Sequence, residues 1–192
     1  MSQNPYSNNV LLNLGIQSLN KMQEVAQHTI LNEDNILLLS PTGSGKTLAF
    51  LLPIFQLLEE DVKGVQCLIL VPSRELGLQI EQVWKKMGTH YKVNTCYGGH
   101  SIDIEINNLS NPPALLIGTP GRIADHLDRG SFATENVKTY VLDEFDKSLQ
   151  LGFHEEMSYI IEKITKVNKR ILVSATSGVE IPKYTKVIDP KV

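Results

Sequence analysis

Apolar residues along this chain follow two periods that take turns. Val10, Leu11, Leu14 and Leu19 are set among polar residues, and Met22, Val25, Ala26 and Ile30 recur at helical spacing, which predicts helices across residues 1–35. Beyond them, short runs that are almost wholly apolar read as strands: residues 36–39, 66–71, 92–97, 114–117, 140–142 and 171–173, with 186–188 as a short last one. Between these lie helical stretches: 48–60, where Pro53 removes a backbone hydrogen bond and predicts a kink, then 73–87, 101–109, 119–127 and 153–164. Thr119 is the natural N-cap of the fourth of these, with Pro120 in its first turn. Apolar strands alternating with helices predict an α/β fold, a mostly parallel central sheet with helices on both faces. Loops that follow parallel strands open on one edge of the sheet, and ligands bind there.

Most of the unusual chemistry lies in the loops just past the strands. The first run leads into Ser40-Pro41-Thr42-Gly43-Ser44-Gly45-Lys46-Thr47 and then a helix, the order of parts a phosphate-binding loop requires. Glycines at 43 and 45 let backbone N–H groups of Thr42, Gly43, Ser44 and Gly45 curl around phosphate oxygens, and the helix start adds its dipole. Lys46 is placed for the β- and γ-phosphates of a nucleotide, and the Thr47 hydroxyl for Mg²⁺. Ser40 stands where the pattern prefers Gly or Ala, a small departure. The strand at 140–142 ends in Asp143-Glu144: the first acid is suited to holding Mg²⁺, directly or through water, the second to orienting or deprotonating an attacking water. The remaining loops on that edge are Pro72-Ser73-Arg74-Glu75, Gly98-Gly99, Thr119-Pro120-Gly121-Arg122 and Ser174-Ala175-Thr176.

Composition narrows the classes further. The chain has 192 residues, 42% hydrophobic and 20% charged, enough apolar material for one ordinary domain with a real core. Its 18 basic and 21 acidic side chains leave a net charge of −3, so contact with nucleic acid has to be local. Cys67 and Cys96 sit in or beside strand-like runs and read as small apolar residues, and five scattered histidines show no metal-ligand spacing. The polar start and the lack of a long apolar run predict no membrane partner and a cytoplasmic protein.

Taken in order, Ser40–Thr47, Pro72-Ser73-Arg74-Glu75-Leu76, Gly98-Gly99, Thr119-Pro120-Gly121-Arg122, Asp143-Glu144-Phe145-Asp146, Leu151-Gly152-Phe153 and Ser174-Ala175-Thr176 resemble the motifs of the DEAD-box RNA helicases, over almost the whole chain from about Tyr6. The resemblance implies the N-terminal RecA-like lobe of an ATP-dependent RNA helicase, a phosphate-loop NTPase using ATP and Mg²⁺, expected as a monomer. It makes Gln23 the reader of the adenine edge, within the family's Q-motif region, here residues 1–35, and Tyr6 the ring stacked on the base. Leu19-Asn20-Lys21-Met22-Gln23 departs from the family's usual Pro-Thr-x-Ile-Gln. Lys46, Asp143 and Glu144 become the catalytic set, with Asp146 bonded to Ser174 and Thr176 to couple the acid loop to nucleotide state. Pro72, Arg74, Gly98, Gly99, Thr119, Pro120, Gly121 and Arg122 would grip the RNA backbone at helix N-termini, without reading base sequence. Without the resemblance, the two arginines read equally well as partners of local acids, Arg122 with Asp125 for example. Phe145 replaces the family's alanine and is expected to displace its neighbours. A second, C-terminal RecA-like lobe is implied as partner and is not contained in residues 1–192, so these residues alone are expected to turn over ATP poorly. Two other readings stay open: a single-lobe regulatory module that binds ATP or RNA without unwinding, and a phosphate-loop ATPase that is not a helicase.

Overall fold

A computed structural model of the chain describes residues 5–192, with side chains from residue 9 onward. Among the described residues six strands form one sheet: β1 (Asn35–Leu39), β2 (Cys67–Leu70), β3 (Val93–Cys96), β4 (Leu115–Gly118), β5 (Thr139–Leu142) and β6 (Lys169–Ser174). Their spatial order is β1-β6-β5-β2-β4-β3, and every pairing is parallel. The connections carry α1 (Pro5–Leu14), α2 (Lys21–Asn32), α3 (Lys46–Leu57), α4 (Arg74–Met87), α5 (Ile102–Leu109), α6 (Pro120–Asp128), α7 (Phe145–Gln150) and α8 (His154–Lys163). This is the RecA-like α/β fold that the alternating pattern and the motif order predict.

Each strand feeds both faces because successive side chains point to opposite sides. Cys67, Ile69, Leu115, Ile117, Val141, Ile171 and Val173 pack with Ile30, Phe50, Ile80 and Trp84 from α2, α3 and α4. Their neighbours Leu68, Leu70, Leu116, Tyr140, Leu142 and Leu172 face the other way, against Ile123, Phe145, Met157 and Ile160 from α6, α7 and α8. Burial on both faces is why the strands read as continuous apolar runs. Helix α3 lies between α2 and α4 with Leu48–Phe55 buried, so Pro53 gives up its N–H bond inside a dry core, and the helix stops at Leu57 rather than near residue 60. Both cysteines are free and buried, and burial pushes the Cys96 thiol up to about 12.

One expectation fails. Residues 186–188 form no strand. A 3-10 turn at Lys183–Thr185 precedes them, and Lys186 and Asp189 take left-handed backbone (φ 57° and 44°), which an extended strand cannot contain. The chain touches β1 only afterwards, at a single parallel bridge between Lys191 and Ile36.

Gly118 ends β4 where the chain turns into α6. A Cβ there would lie 2.5 Å from Ile123 Cδ1 and 2.8 Å from the Cys96 carbonyl oxygen, and the second contact is backbone that cannot swing away. Gly118→Ala should therefore destabilise the chain by about 1–3 kcal/mol, the usual range for overpacking, read as a lower urea midpoint at unchanged slope.

Candidate functional site

Strand order sorts the loops along the carboxyl edge. Ser40–Thr47 follows β1 at one end; next come Ser174-Ala175-Thr176 on β6 and Asp143–Asp146 on β5; then Pro72–Glu75 on β2, Thr119–Arg122 on β4 and Gly98-Gly99 on β3. Residues suited to nucleotide chemistry occupy three adjacent strands, and those suited to a phosphate backbone the other three.

The phosphate loop is shaped by two left-handed glycines, Gly43 (φ 79°) and Gly45 (φ 89°), the second being the N-cap of α3. Lys46 is buried, and its ammonium donates to the Ser40 carbonyl (2.6 Å) and the Pro41 carbonyl (2.8 Å), so the lysine spans the loop from within. Ser40, the departure from the usual pattern, donates its hydroxyl to Ser44 Oγ at 2.7 Å, and its N–H donates to the Ser174 carbonyl at 3.2 Å. That last bond ties the phosphate loop directly to the Ser-Ala-Thr segment. The first turn of α3 leaves N–H groups without intrahelical partners, an arrangement that suits anions in general.

Gln23 is not the exposed polar residue that an isolated glutamine on a helix predicts. It is buried at the third position of α2, where its side chain accepts from the Asn20 N–H (3.0 Å) while Asn20 Oδ1 accepts from the Gln23 N–H (2.9 Å). This is a capping box, and Asn20-x-x-Gln23 is its signature in the sequence. Gln23 Nε2 also donates to the Gly45 carbonyl at 3.3 Å, which carries α2 onto the phosphate loop. A Cβ on Gly45 would fall 2.5 Å from that nitrogen, so Gly45 is required for the approach as well as for its φ. Tyr6 is in the first turn of α1; the stacking assigned to its side chain lies outside the described residues.

Thr42, Gly43, Lys46, Thr47, Asp143 and Glu144 line one cleft of about 430 Å³, which α4 closes with Leu76, the last residue of the Pro72–Leu76 motif, and Gln79, which the sequence does not single out. Asp143 is 3% exposed. Burial pushes its carboxyl up to about 7, against the pull of the Glu144 N–H bonded to Oδ1 (2.9 Å) and of the Lys46 ammonium. A buried carboxylate beside a hydroxyl suits a hard cation such as Mg²⁺. Glu144 takes left-handed backbone (φ 46°, ψ 46°) at the start of α7, strain of the sort found at functional sites. Lys147 Nζ donates to Glu144 Oε2 at 2.8 Å, and this bond raises the lysine's pKa.

The pKa of Asp143 has a consequence for the metal-free chain. A folded-state pKa above the ordinary 3.8 means that this group's contribution to stability is full below about pH 4 and is lost as pH rises through about 7. Asp143→Asn should flatten that segment of the pH–Tm curve and raise Tm at pH 8, measured by differential scanning fluorimetry without nucleotide or metal.

The coupling set is rearranged relative to expectation. Thr176 Oγ1 donates to Asp146 Oδ2 at 2.9 Å, but the Ser174 hydroxyl turns to the Thr176 backbone, donating to its carbonyl and accepting from its N–H, both at 3.0 Å. Thr176 alone thus links Asp146 to the segment, and Asp146 Oδ1 is buried without a hydrogen-bond partner. Phe145 is 1% exposed and its ring is absorbed by the α6/α8 core, so the bulk is accommodated below the acid loop.

On the other half of the edge, Gly98, His100, Thr119, Gly121 and Arg122 line a second cleft of about 470 Å³. Arg74 is not among the residues lining it: its Nε donates to Glu75 Oε1 at 2.7 Å, both side chains exposed, and Pro72 is buried. Arg122 is paired with Glu105 (3.3 Å) and the His100 carbonyl (2.9 Å), not with Asp125, which binds Arg129 instead. Glu105 and His126 are both buried, and with Cys96 they place ligand-capable atoms within 4.8 Å of one another. Scattered histidines in the sequence give no sign of that convergence, because three different elements supply it.

The DEAD/DEAH box helicase family profile matches residues 20–183. "ATP-dependent RNA helicase DeaD" of Escherichia coli K12 is 35% identical over 92% of the chain, which covers 28% of that protein. "ATP-dependent rRNA helicase RRP3" of Encephalitozoon cuniculi is 36% identical over 91% of the chain and 44% of its own length. Among solved structures, a DEAD box protein from Methanococcus jannaschii superposes with a TM-score of 0.85 at 33% identity, covering 95% of this chain and 50% of that one. The chain thus spans about half or less of each of these relatives. Among the described residues no helix is long and apolar enough to cross a membrane.

Proposed function

The chain belongs to the DEAD/DEAH box helicase family, and on that premise we propose that it is the ATP-binding lobe of an ATP-dependent RNA helicase. In this reading ATP phosphates lie on the Gly43–Thr47 backbone with Lys46 on the β- and γ-phosphates, and Gln23 and Tyr6 hold the adenine. Thr47 and Asp143 hold Mg²⁺, partly through water, which supplies charge neutralisation between the phosphates. Glu144 orients the attacking water and takes its proton. Gly98, Gly99, Thr119, Pro120, Gly121 and Arg122, with Pro72 and Arg74 alongside, track one RNA strand by its phosphates and so without base preference. A second RecA-like lobe supplies arginines to the ATP site and the rest of the RNA track; closure of the two lobes bends one strand and parts a short duplex, and hydrolysis resets the cycle. The cytoplasm is the proposed location.

The observation that carries the reading is the juxtaposition on one sheet edge of a cleft lined by Lys46, Thr47 and the two acids and a second cleft lined by Gly98, Thr119 and Arg122. The test is binding of fluorescent ATP and of single-stranded RNAs of unrelated sequence to residues 1–192. Expected are Mg²⁺-dependent ATP binding, RNA affinities alike for all sequences and falling with salt, and negligible RNA-stimulated turnover. Arginine fingers contribute about 10³–10⁵ in rate in comparable phosphoryl-transfer enzymes, so their absence should dominate. Sequence-selective RNA binding, or turnover per chain near 1 s⁻¹, about the low end for ordinary enzymes, would overturn the reading.

A further inference from the structure

Glu105 is a buried acidic residue with 2% of its side chain exposed, and it lies on α5, outside every loop of the two clefts. All its partners belong to the phosphate-backbone cleft or its supports. Oε1 accepts from the Tyr97 N–H at 3.2 Å and meets His100 Nδ1 at 3.2 Å, the two residues that bracket Gly98-Gly99. Oε2 meets Arg122 Nη1 at 3.3 Å, in the first turn of α6, and His126 Nε2 at 2.7 Å, one turn further along the same helix. Arg122 Nη2 donates in addition to the His100 carbonyl at 2.9 Å. One carboxylate therefore spans the gap between two loops that belong to neighbouring strands β3 and β4. The Cys96 thiol completes the surroundings, and Oε2 of the carboxylate is already engaged by both the Arg122 guanidinium and the His126 ring.

We propose that Glu105 is a positioning residue for RNA: it fixes the Arg122 guanidinium at the rim of the cleft and sets the distance between the Gly98-Gly99 and Thr119–Arg122 phosphate grips. The proposal rests on the RNA-binding reading of that cleft. Two hydrogen bonds hold the guanidinium plane, one to Glu105 and one to the His100 carbonyl, and its remaining N–H donors are left for phosphate oxygens. A side chain already held in its binding geometry loses less entropy when RNA arrives. His126, fully buried under the carboxylate, keeps Glu105 from rotating toward solvent.

The test is a double-mutant cycle on RNA affinity, read by anisotropy of a labelled single-stranded RNA with the native polypeptide that carries residues 1–192. Glu105→Ala would strip a buried site of its charge and is a poor choice, so Glu105→Gln is used: its amide oxygen still accepts from the Tyr97 N–H, while the counter-charge for Arg122 is gone. Glu105→Gln and Arg122→Ala should each weaken RNA about tenfold, and the double variant no more than either alone, since the two act through one contact. ATP affinity, measured without RNA, should stay unchanged in Glu105→Gln. Full additivity, or a Glu105→Gln variant with wild-type RNA affinity beside a weakened Arg122→Ala, overturns the positioning role and leaves the RNA reading standing. Failure of the wild-type polypeptide to bind RNA, or of Arg122→Ala to weaken it, overturns the RNA reading and the positioning role with it.

Discussion

Lys46→Ala should abolish useful ATP binding while leaving the fold in place. The ammonium is buried and held by two carbonyls of the loop it serves, Ser40 at 2.6 Å and Pro41 at 2.8 Å. In the proposed complex it would exchange those carbonyls for charged phosphate oxygens in a buried setting, where a charge-assisted bond is strong. Truncating one partner of such a pair costs on the order of 3 kcal/mol, or roughly 10²-fold in Kd. Stability should suffer less. Alanine is a good residue for the first turn of α3, and of the two freed carbonyls that of Pro41 belongs to an exposed residue, where water can replace the ammonium. Lys46→Met separates the two contributions, since it keeps the stem and deletes the charge; it should lose ATP as fully as alanine does. Calorimetric titration with Mg-ATP reads both, and tight binding by either variant would place the phosphates somewhere else.

Legibility in the sequence depends on the kind of pattern each feature has. Strands buried on both faces leave unmistakable apolar runs, so the runs at 66–71 and 140–142 lie within a residue or two of β2 and β5. Ser40–Thr47 is plain because its glycines answer a local backbone demand, and Gly43 and Gly45 do take positive φ. Strand order is not legible: it depends on which helix packs on which face, and it is this order that separates the two clefts. Long-range polar pairs are the least visible. Local spacing pairs Arg122 with Asp125, three residues along the helix, whereas the fold gives it Glu105, seventeen residues away on another element. Ser174 is expected to reach Asp146 and instead closes a tight turn onto Thr176, a local bond that outcompetes the distant one. The strand expected at 186–188 fails through the positive φ of Lys186, a residue type for which no local sequence rule gives warning.

Glu144→Gln should separate chemistry from binding. Glu144 meets the cleft without being part of the phosphate loop, and Lys147 holds one of its oxygens at 2.8 Å, leaving the other for water. Glutamine has the same length and tolerates the left-handed backbone at φ 46° no worse, so the lobe should fold and bind Mg-ATP as before. It lacks only a group that can take the proton of the attacking water. General-base assistance is worth about 10²–10⁴ in rate, and kcat for ATP hydrolysis by the native polypeptide carrying residues 1–192 should fall by that factor with KM nearly constant. Lys147→Ala gives the complementary measurement. It leaves the base in place and removes the bond that orients it, so its loss in kcat should be smaller and should vanish in the Glu144→Gln background, where nothing remains to orient. Equal losses in kcat and in ATP affinity for Glu144→Gln would instead mean that the carboxylate shares in holding Mg²⁺, and the division of labour between Asp143 and Glu144 would have to be abandoned.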